Sequence, residues 1–350
     1  MVFVLDTTGS MGGLINAAKE KIWSIASTMA SAQPAPEIRM GLVAYRDRGD
    51  QYVTRVLDLS SDLDSMYATL MDFQADGGGD GPESVNQALN DAIEKISWSQ
   101  DQGTYKAVFL MGDAPPHMDY RNDVKFPQSM AAAAKKGIVV NAIQCGTSPA
   151  TTRDWQQIAQ LGNGHYFQVE QAGSAIAITT PFDEKLARLS KELDDTRLYY
   201  GNEKDKVAQK AKRDAAAKLH SAASPASRAR RATYNTSKSG ESNYLGKNEL
   251  VEDVASGRVS LLEIDLAHLP EPLQSMAPAE QEAVILEKAT ERSELKDEIR
   301  QLAGQRSAFL HKKVEETGSA ENSLDEKIYR AVREQAEAKG LHYEADSAAY

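Results

Sequence analysis

A continuous apolar run, Val108-Phe109-Leu110-Met111, constrains the fold more than any other feature of the sequence. Strands with one face in water alternate apolar and polar residues, whereas parallel strands covered by helices on both faces are apolar throughout. Shorter apolar runs of this kind alternate with helix-like stretches through residues 1–195. We therefore predict an α/β domain that is doubly wound, with a mostly parallel central sheet and flanking helices.

The predicted elements of this domain alternate along the chain. Strands are expected at 2–6, 38–45, 52–57, 107–111, 138–144 and 165–169. Helices are expected near 13–31, 62–72, 83–97, 123–136, 152–161 and 172–193. Gly137 follows the basic pair Lys135-Lys136, which is typical of a helix end immediately before a strand.

Charge divides the chain into three parts. Residues 1–195, 196–244 and 245–350 carry net charges of −9, +7 and −9. The middle part is rich in Ala, Lys, Ser and Arg, so we expect a basic linker that is helical at first and then disordered. The last part is expected to be a small acidic helical region of no recognised family, with helices near 278–316 and 323–339.

The longer of these two helices carries an apolar stripe and a basic stripe. The apolar stripe consists of Ile285, Leu295, Ile299, Leu302 and Phe309. A coiled coil is one interpretation of it, although the stripe is short and irregular for one. The basic stripe consists of Lys288, Arg292, Lys296 and Arg300, for which we expect a solvated helix face.

The strongest indication of chemistry is the loop Asp6-Thr7-Thr8-Gly9-Ser10-Met11, between the first predicted strand and the first helix. Its alternate positions Asp6, Thr8 and Ser10 carry oxygen donors, which a loop leaving a strand can direct to one side. Hard cations such as Mg²⁺, Mn²⁺ and Ca²⁺ prefer oxygen ligands of this kind. The loop therefore indicates a divalent-cation site.

Two further loops leave the same predicted edge of the sheet. The first, at 76–83, is glycine-rich and offers Asp76, Asp80 and Glu83 as acidic candidates. The second follows the long apolar run and places Asp113 at its carboxyl end. Ligands of open α/β sheets bind beyond the carboxyl ends of the strands, so we expect the three loops to form one site.

Together these loops resemble the metal-ion-dependent adhesion site of von Willebrand factor A-type domains, in a form similar to bacterial members. The resemblance covers about residues 1–190. It implies that Thr8 and Ser10 bind the cation directly and that Asp6 and Asp113 act mainly through water. A ligand's carboxylate then takes the open position. Mg²⁺ is the cation expected first, with Mn²⁺ or Ca²⁺ as alternatives.

One position departs from the pattern of this family. Many members have a threonine in the second loop, where this sequence offers Asp80. We expect Asp80 to be the ligand, while Asp76 and Glu83 stay open as alternatives. A third carboxylate should hold the cation more tightly and make it less attractive to an incoming carboxylate. The expected metal ligands are then Asp6, Thr8, Ser10, Asp80 and Asp113.

The function that the resemblance implies is non-enzymatic binding of a protein partner through the cation and an exposed carboxylate of that partner. The carboxylate could also come from the acidic C-terminal region of the same chain. Three alternatives stay open: a metal-assisted hydrolase, an accessory subunit of an ATPase or chelatase-like complex, and a scaffold with a structural metal. The hydrolase has little support, because Ser10 lacks a Gly-x-Ser-x-Gly frame and no His-Glu-x-x-His pair occurs.

Composition argues against several other classes of protein. The net charge of −11 is unlike that of a nucleic-acid binder, and no apolar run is long enough to span a bilayer. The single cysteine, Cys145, excludes an internal disulfide and is expected to be a small buried hydrophobe. The sequence starts directly on a strand, which indicates a truncated start and leaves a secreted, periplasmic or cytoplasmic location open.

Overall fold

The structure is a computed structural model of the chain and describes residues 1–79, 81–172, 178–317 and 324–343. The chain forms two compact units. The first unit, here called the sheet unit, comprises Met1–Ala177 and Val314–Tyr350, and the second, the helical unit, comprises Ile178–Lys313. No helix in the described ranges has both the length and the apolar character needed to cross a membrane.

The sheet unit is built on one six-stranded sheet. Its strands are β1 (Val2–Asp6), β2 (Met40–Tyr45), β3 (Thr54–Ser60), β4 (Ala107–Gly112), β5 (Val139–Cys145) and β6 (Asn163–Val169). They lie in the order β3-β2-β1-β4-β5-β6, and each neighbouring pair is parallel except β2 with β3. The predicted mostly parallel, doubly wound sheet is confirmed.

Most of the predicted helices lie close to their expected positions. In chain order they are α1 (Gly12–Ala30), α2 (Leu63–Leu70), α3 (Val85–Glu94), α4 (Phe126–Lys135), α5 (Pro149–Leu161), α6 (Asp183–Asp195), α7 (Glu203–Ala222), α8 (Pro225–Asn235), α9 (Glu241–Leu245), α10 (Leu250–Ala255), α11 (Glu271–Gln274), α12 (Pro278–Thr317) and α13 (Leu324–Glu337). The largest difference is at α6, which begins after Pro181 rather than at 172, and residues 173–177 of that prediction lie outside the described ranges. Helices α8 to α11 have no counterpart among the predicted helices.

Alternate residues of the central strands pack on different layers of helices. On one face, Val4 of β1 shares an apolar cluster with Leu89 of α3. On the other face, Leu5 of β1 lines a small apolar space together with Ile22 of α1 and Ile328 of α13. Because both faces are covered, β1 and β4 are buried along their whole length, which explains their continuous apolar sequence.

The last helix of the chain therefore belongs to the sheet unit. Gln335 of α13 donates from Nε2 to Asn141 Oδ1 on β5 at 2.7 Å, and Tyr105 donates from its hydroxyl to Gln335 Oε1 at 2.8 Å. These bonds hold α13 beside the sheet, so the predicted acidic region at 245–350 is divided between the two units.

The prediction of a partly disordered linker at 196–244 is corrected by the structure. Most of this segment folds into α7, α8 and α9 of the helical unit. Arg231 is fully buried, and its Nη2 lies 2.9 Å from Asp194 Oδ2. Arg197 is also buried, with Nη2 3.1 Å from Asp194 Oδ1. Basic residues that suggested a solvated segment thus neutralise a buried carboxylate, and no domain boundary falls at 195 or 244.

The apolar stripe of α12 packs within the helical unit. Ile299 is buried against residues of α6 and α8, with Leu295 and Leu302 partly buried beside it. Arg292 of the basic stripe is also buried, and its guanidinium donates to both carboxylate oxygens of Glu249 at 2.8 and 2.9 Å. The expected solvated face is therefore wrong at Arg292, since this cation is paired inside the unit.

Candidate metal centre

The loop after β1 brings three predicted ligands together. Asp6 is fully buried, and its Oδ1 accepts hydrogen bonds from the Thr8 backbone nitrogen at 2.9 Å and the Thr8 hydroxyl at 2.7 Å. Because the hydroxyl hydrogen of Thr8 is directed to Asp6, the lone pairs of Thr8 Oγ1 are left for a cation. Ser10 is exposed, and its Oγ lies 3.5 Å from Thr8 Oγ1.

The glycine-rich second loop lies against the first. The Gly9 nitrogen donates to the Gly77 oxygen at 3.1 Å. A Cβ added to Gly78 would lie 3.2 Å from Thr8 Cβ and 3.0 Å from Glu83 Oε1. Gly77 and Gly78 have φ values of 77° and 79°, which glycine adopts without strain. These glycines therefore allow the close approach that places Glu83 near Thr8.

Glu83, at the end of the second loop, is buried although carboxylates are usually exposed. Its backbone is fixed by hydrogen bonds from Glu83 N to Pro115 O at 2.9 Å and from His117 N to Glu83 O at 3.1 Å. Its Oε2 is buried and has no hydrogen-bond partner among the described residues. Burial, and then the charges of Asp6 and other nearby carboxylates, raise the pKa of Glu83 to about 9.

Asp113 follows β4 at the same edge of the sheet. Its Oδ2 accepts a hydrogen bond from Gln171 Nε2 at 2.6 Å, and its backbone oxygen accepts one from the Thr151 hydroxyl at 2.8 Å. Burial, with a further contribution from the Asp113 charge, raises the pKa of Asp6 to about 7. A cation beside Asp6 would offset both effects, because it favours the ionised carboxylate.

The three acidic residues of the second loop differ in how the structure places them relative to the site. Asp80, the expected ligand, lies outside the described residues, so its role stays a prediction. Asp76 is exposed, and its Oδ2 lies 3.5 Å from Arg46 Nη1. Among the described residues, Glu83 is thus the acidic residue of this loop that is buried at the site. Its signal in the sequence is weak, since it only follows Pro82 just before α3.

Two supporting residues belong to no motif. Arg46 is buried and donates from Nε to the Thr7 oxygen at 3.1 Å and from Nη2 to the Gln74 oxygen at 2.8 Å, which links the first loop to the residues just before the second. Gln171 orients Asp113. Their positions in the sequence could have indicated a role at the site. Arg46 follows β2 and Gln171 lies just after β6, and both strands end at the carboxyl edge of the sheet.

The possible metal ligands at this edge of the sheet are both carboxylate and hydroxyl oxygens. Within the described ranges, no group of three or more His, Cys, Asp or Glu side chains is arranged to hold one metal ion. A metal centre here therefore depends on the hydroxyls of Thr8 and Ser10 beside the carboxylates. The buried oxygens Asp6 Oδ2 and Glu83 Oε2, both without a hydrogen-bond partner among the described residues, fit such a centre.

Comparison with known proteins identifies the family. A family model described as von Willebrand factor A domain matches residues 1–181, which is just over half of the chain. The chain belongs to the von Willebrand factor A domain family. The helical unit lies almost entirely beyond the matched residues.

Relatives of this von Willebrand factor A domain cover only part of the chain. The von Willebrand factor A domain-containing protein 7 of Rattus norvegicus is 37% identical over 114 residues, which are 33% of this chain and 12% of that protein. The matched segments span 11 to 12% of the length of the curated relatives. The rat and human relatives are eukaryotic, so they do not confirm the predicted likeness to bacterial members. That likeness stays a prediction.

Solved structures resemble the von Willebrand factor A domain over about half of the chain. The SpRpn10 VWA domain is 14% identical with a TM-score of 0.38, over 49% of this chain and 87% of that chain. Proximal thread matrix protein 1 from the mussel byssus, with a zinc-occupied MIDAS motif, is 18% identical with a TM-score of 0.38, over 49% of this chain and 41% of that chain.

Proposed function

We propose that the sheet unit is a non-enzymatic, divalent-cation-dependent binding module that recognises an exposed carboxylate of a protein partner. Mg²⁺ is the proposed cation, ahead of Mn²⁺ and Ca²⁺. Asp80 is a further proposed ligand from the second loop. The side chains proposed to hold the cation, directly or through water, are Asp6, Thr8, Ser10, Glu83 and Asp113.

One observation carries the metal part of this proposal. Asp6 Oδ2 and Glu83 Oε2 are buried and have no hydrogen-bond partner among the described residues. A buried acceptor without a partner costs about 1–3 kcal/mol, and more when it is charged. A divalent cation would remove this cost, and the orientation of the Thr8 hydroxyl, which donates to Asp6 Oδ1, leaves its lone pairs available to that cation.

The exposure of Ser10 supports recognition of an external ligand. A hard cation held by hydroxyls and carboxylates can take a further oxygen ligand from solvent or from a partner. A partner's carboxylate is the proposed ligand for this position, because hard cations prefer oxygen ligands of this kind. A carboxylate of the acidic C-terminal region of the same chain is the second source to be tested.

Metal binding is tested by urea unfolding of the full chain in EDTA and in Mg²⁺, followed by tryptophan fluorescence. All three tryptophans, Trp23, Trp98 and Trp155, lie in the sheet unit, so their signal reports on that unit. Mg²⁺ at about 100 times its dissociation constant should add about 2.7 kcal/mol to the free energy of unfolding. Thr8→Ala should lose this gain, whereas Thr69→Ala, a matched threonine on α2, should keep it.

Carboxylate recognition is tested with the chain immobilised and a peptide panel in which each peptide has one Asp or Glu, or the matching Asn or Gln. Binding of the acidic peptides in Mg²⁺ that is lost in EDTA and in Thr8→Ala supports the proposal. Equal binding of the amide peptides would contradict it. Stabilisation by Mg²⁺ without peptide binding would instead favour a structural metal.

A further inference from the structure

The helical unit carries three strongly exposed leucines in a short stretch of chain. Leu262 is 82% exposed, Leu266 is 54% exposed and Leu286 is 67% exposed. The first two lie on single 3-10 turns, Leu261–Glu263 and Leu266–His268, and the third lies on α12. All three lie within residues 259–287, and apolar side chains exposed to this degree are candidates for burial by a partner.

Residues near these leucines in the sequence pack in one apolar cluster of the helical unit. Leu269 and Ile285 are buried in this cluster, and Leu261 packs against it. Leu262 follows Leu261 directly, and Leu286 follows Ile285 directly. Leu262 and Leu286 therefore follow directly on residues that pack in this cluster, and Leu266 lies three residues before the buried Leu269.

The same stretch of chain has charges of one sign. Residues 259–287 contain six acidic residues and no lysine or arginine. None of the six forms an ion pair with another described residue, whereas the adjacent Lys288 pairs with Glu291. The six acidic residues, all exposed, are Glu263, Asp265, Glu271, Glu280, Glu282 and Glu287.

We propose that residues 259–287, here called the acidic leucine surface, bind a basic amphipathic segment of a partner protein. The apolar side chains of that segment cover Leu262, Leu266 and Leu286, while its lysines or arginines pair with the surrounding carboxylates. Charge decides the kind of partner, because anionic membranes and nucleic acids are repelled by this surface. This interaction needs no metal and is independent of the carboxylate recognition proposed for the sheet unit.

The test uses a fluorescently labelled amphipathic peptide of leucine and lysine, with binding to the full chain measured by fluorescence anisotropy in EDTA. Two comparison peptides replace either the leucines by serine or the lysines by glutamate. Only the leucine–lysine peptide should bind tightly. The double variant Leu262→Ser with Leu286→Ser should raise its dissociation constant at least about tenfold. Glu282→Gln with Glu287→Gln should weaken binding and reduce its dependence on salt.

A matched control lies on α7 of the same unit. Val207 is 71% exposed but sits among basic residues of its helix, so Val207→Ser should leave the affinity unchanged. Helical circular dichroism should be the same for all variants, because each altered side chain is exposed. Equal affinity for the double leucine variant, equal binding of the serine–lysine peptide, or tighter binding of phosphatidylserine vesicles than of the peptide would each overturn the proposal.

Discussion

Lys21 and Asp325 form a buried ion pair, with Nζ 2.9 Å from Oδ2, although 304 positions separate them in the sequence. Lys21 lies on α1, the helix that follows the proposed metal loop, and Asp325 lies in the first turn of α13. Long-range pairing of buried charges is tolerated only where the surrounding packing fixes both side chains. The sheet unit is therefore completed by a helix that comes after the whole helical unit.

We predict that removing the apolar contact of α13 destabilises the sheet unit. Ile328 is buried against the sheet, so Ile328→Ala should lower the free energy of unfolding by about 2–5 kcal/mol. Urea unfolding followed by tryptophan fluorescence measures this change. Arg330→Ala on the exposed side of the same helix should change it by less than about 0.5 kcal/mol. An Ile328 variant as stable as the parent chain would contradict the assignment of α13 to this unit.

The strands and helices of the sheet unit could be predicted because their signals are local. An apolar run, a helical period or Gly137 after a basic pair is visible within a few residues. The position of α13 could not be predicted, because it depends on contacts with residues about 300 positions away. Residues 196–244 of the helical unit were predicted to be a linker for a related reason. The buried Arg231 of this segment is neutralised by Asp194, and a sequence pattern does not show this pairing.

The stability of the metal-free sheet unit should fall as the pH rises from about 4 to about 7. Asp6 has a pKa of about 7 in the folded chain and an ordinary value of 3.8, so the folded state holds a proton that the unfolded state loses first. Its stabilising effect is thus complete below about pH 4 and is lost as the pH passes 7.

Urea unfolding in EDTA at pH 5 and pH 8 measures this dependence, with the Asp6→Asn variant as the comparison. The variant should show a smaller loss of stability between the two pH values, whereas Asp72→Asn, at an exposed position, should behave like the parent. Mg²⁺ should stabilise the parent more at pH 8 than at pH 6, since protons compete with the cation. A parent and an Asp6 variant with the same pH dependence would refute the buried, protonated Asp6.

Glu83→Gln should separate stability from metal binding. Burial and the charge of Asp6 raise the pKa of Glu83 to about 9, so near neutral pH the metal-free unit holds this carboxyl mainly in its protonated form. The amide has nearly the same shape and is also uncharged, so the metal-free unit should be about as stable as the parent. The stabilisation by Mg²⁺ should nevertheless fall, with at least about tenfold weaker binding in titration calorimetry. Glu94→Gln, at an exposed position on α3, should leave both quantities unchanged. Unaltered Mg²⁺ affinity in the Glu83 variant would remove Glu83 from the centre.

Gly112→Ala should damage the site through steric overlap. A Cβ at this position would lie 2.5 Å from the Tyr45 hydroxyl oxygen and 2.8 Å from Asp6 Oδ2. We expect a loss of about 1–3 kcal/mol in stability and weaker Mg²⁺ binding, measured by the same unfolding and calorimetric experiments. Gly79→Ala provides the control, because its Cβ would meet no atom within 4 Å. Normal Mg²⁺ binding by the Gly112 variant would show that Asp6 tolerates displacement.

In the helical unit, the buried pair of Arg292 and Glu249 should be strongly coupled. Arg292→Met leaves Glu249 buried without its partner and should cost about 3–5 kcal/mol, measured by circular dichroism during urea unfolding. The double variant with Glu249→Met should cost less than the sum of the single variants. Arg300→Met, which breaks an exposed pair with Asp297, should cost less than about 1 kcal/mol. Additive effects of the two buried substitutions would contradict this coupling.

The candidate site was predictable where its residues follow strands directly. Asp6, Thr8, Ser10 and Asp113 leave β1 and β4 at one edge of the sheet, and a parallel sheet brings such loops together. The burial of Glu83 was not predictable, because it requires the close approach of Gly78 to Thr8 and the backbone pairing of Glu83 with Pro115 and His117. Those contacts depend on how three loops pack, not on any one of them.

The late position of α13 has a consequence for the order in which the chain can fold during synthesis. The 155 residues from Val169, the end of β6, to Leu324, the start of α13, take roughly 8 to 30 s to translate at typical rates of 5–20 residues per second. Throughout that interval Leu5 and Ile22 lack the cover that Ile328 later provides. The helical unit can thus finish folding on the ribosome before the sheet unit, whose uncovered apolar face is meanwhile exposed to chaperones and to neighbouring nascent chains.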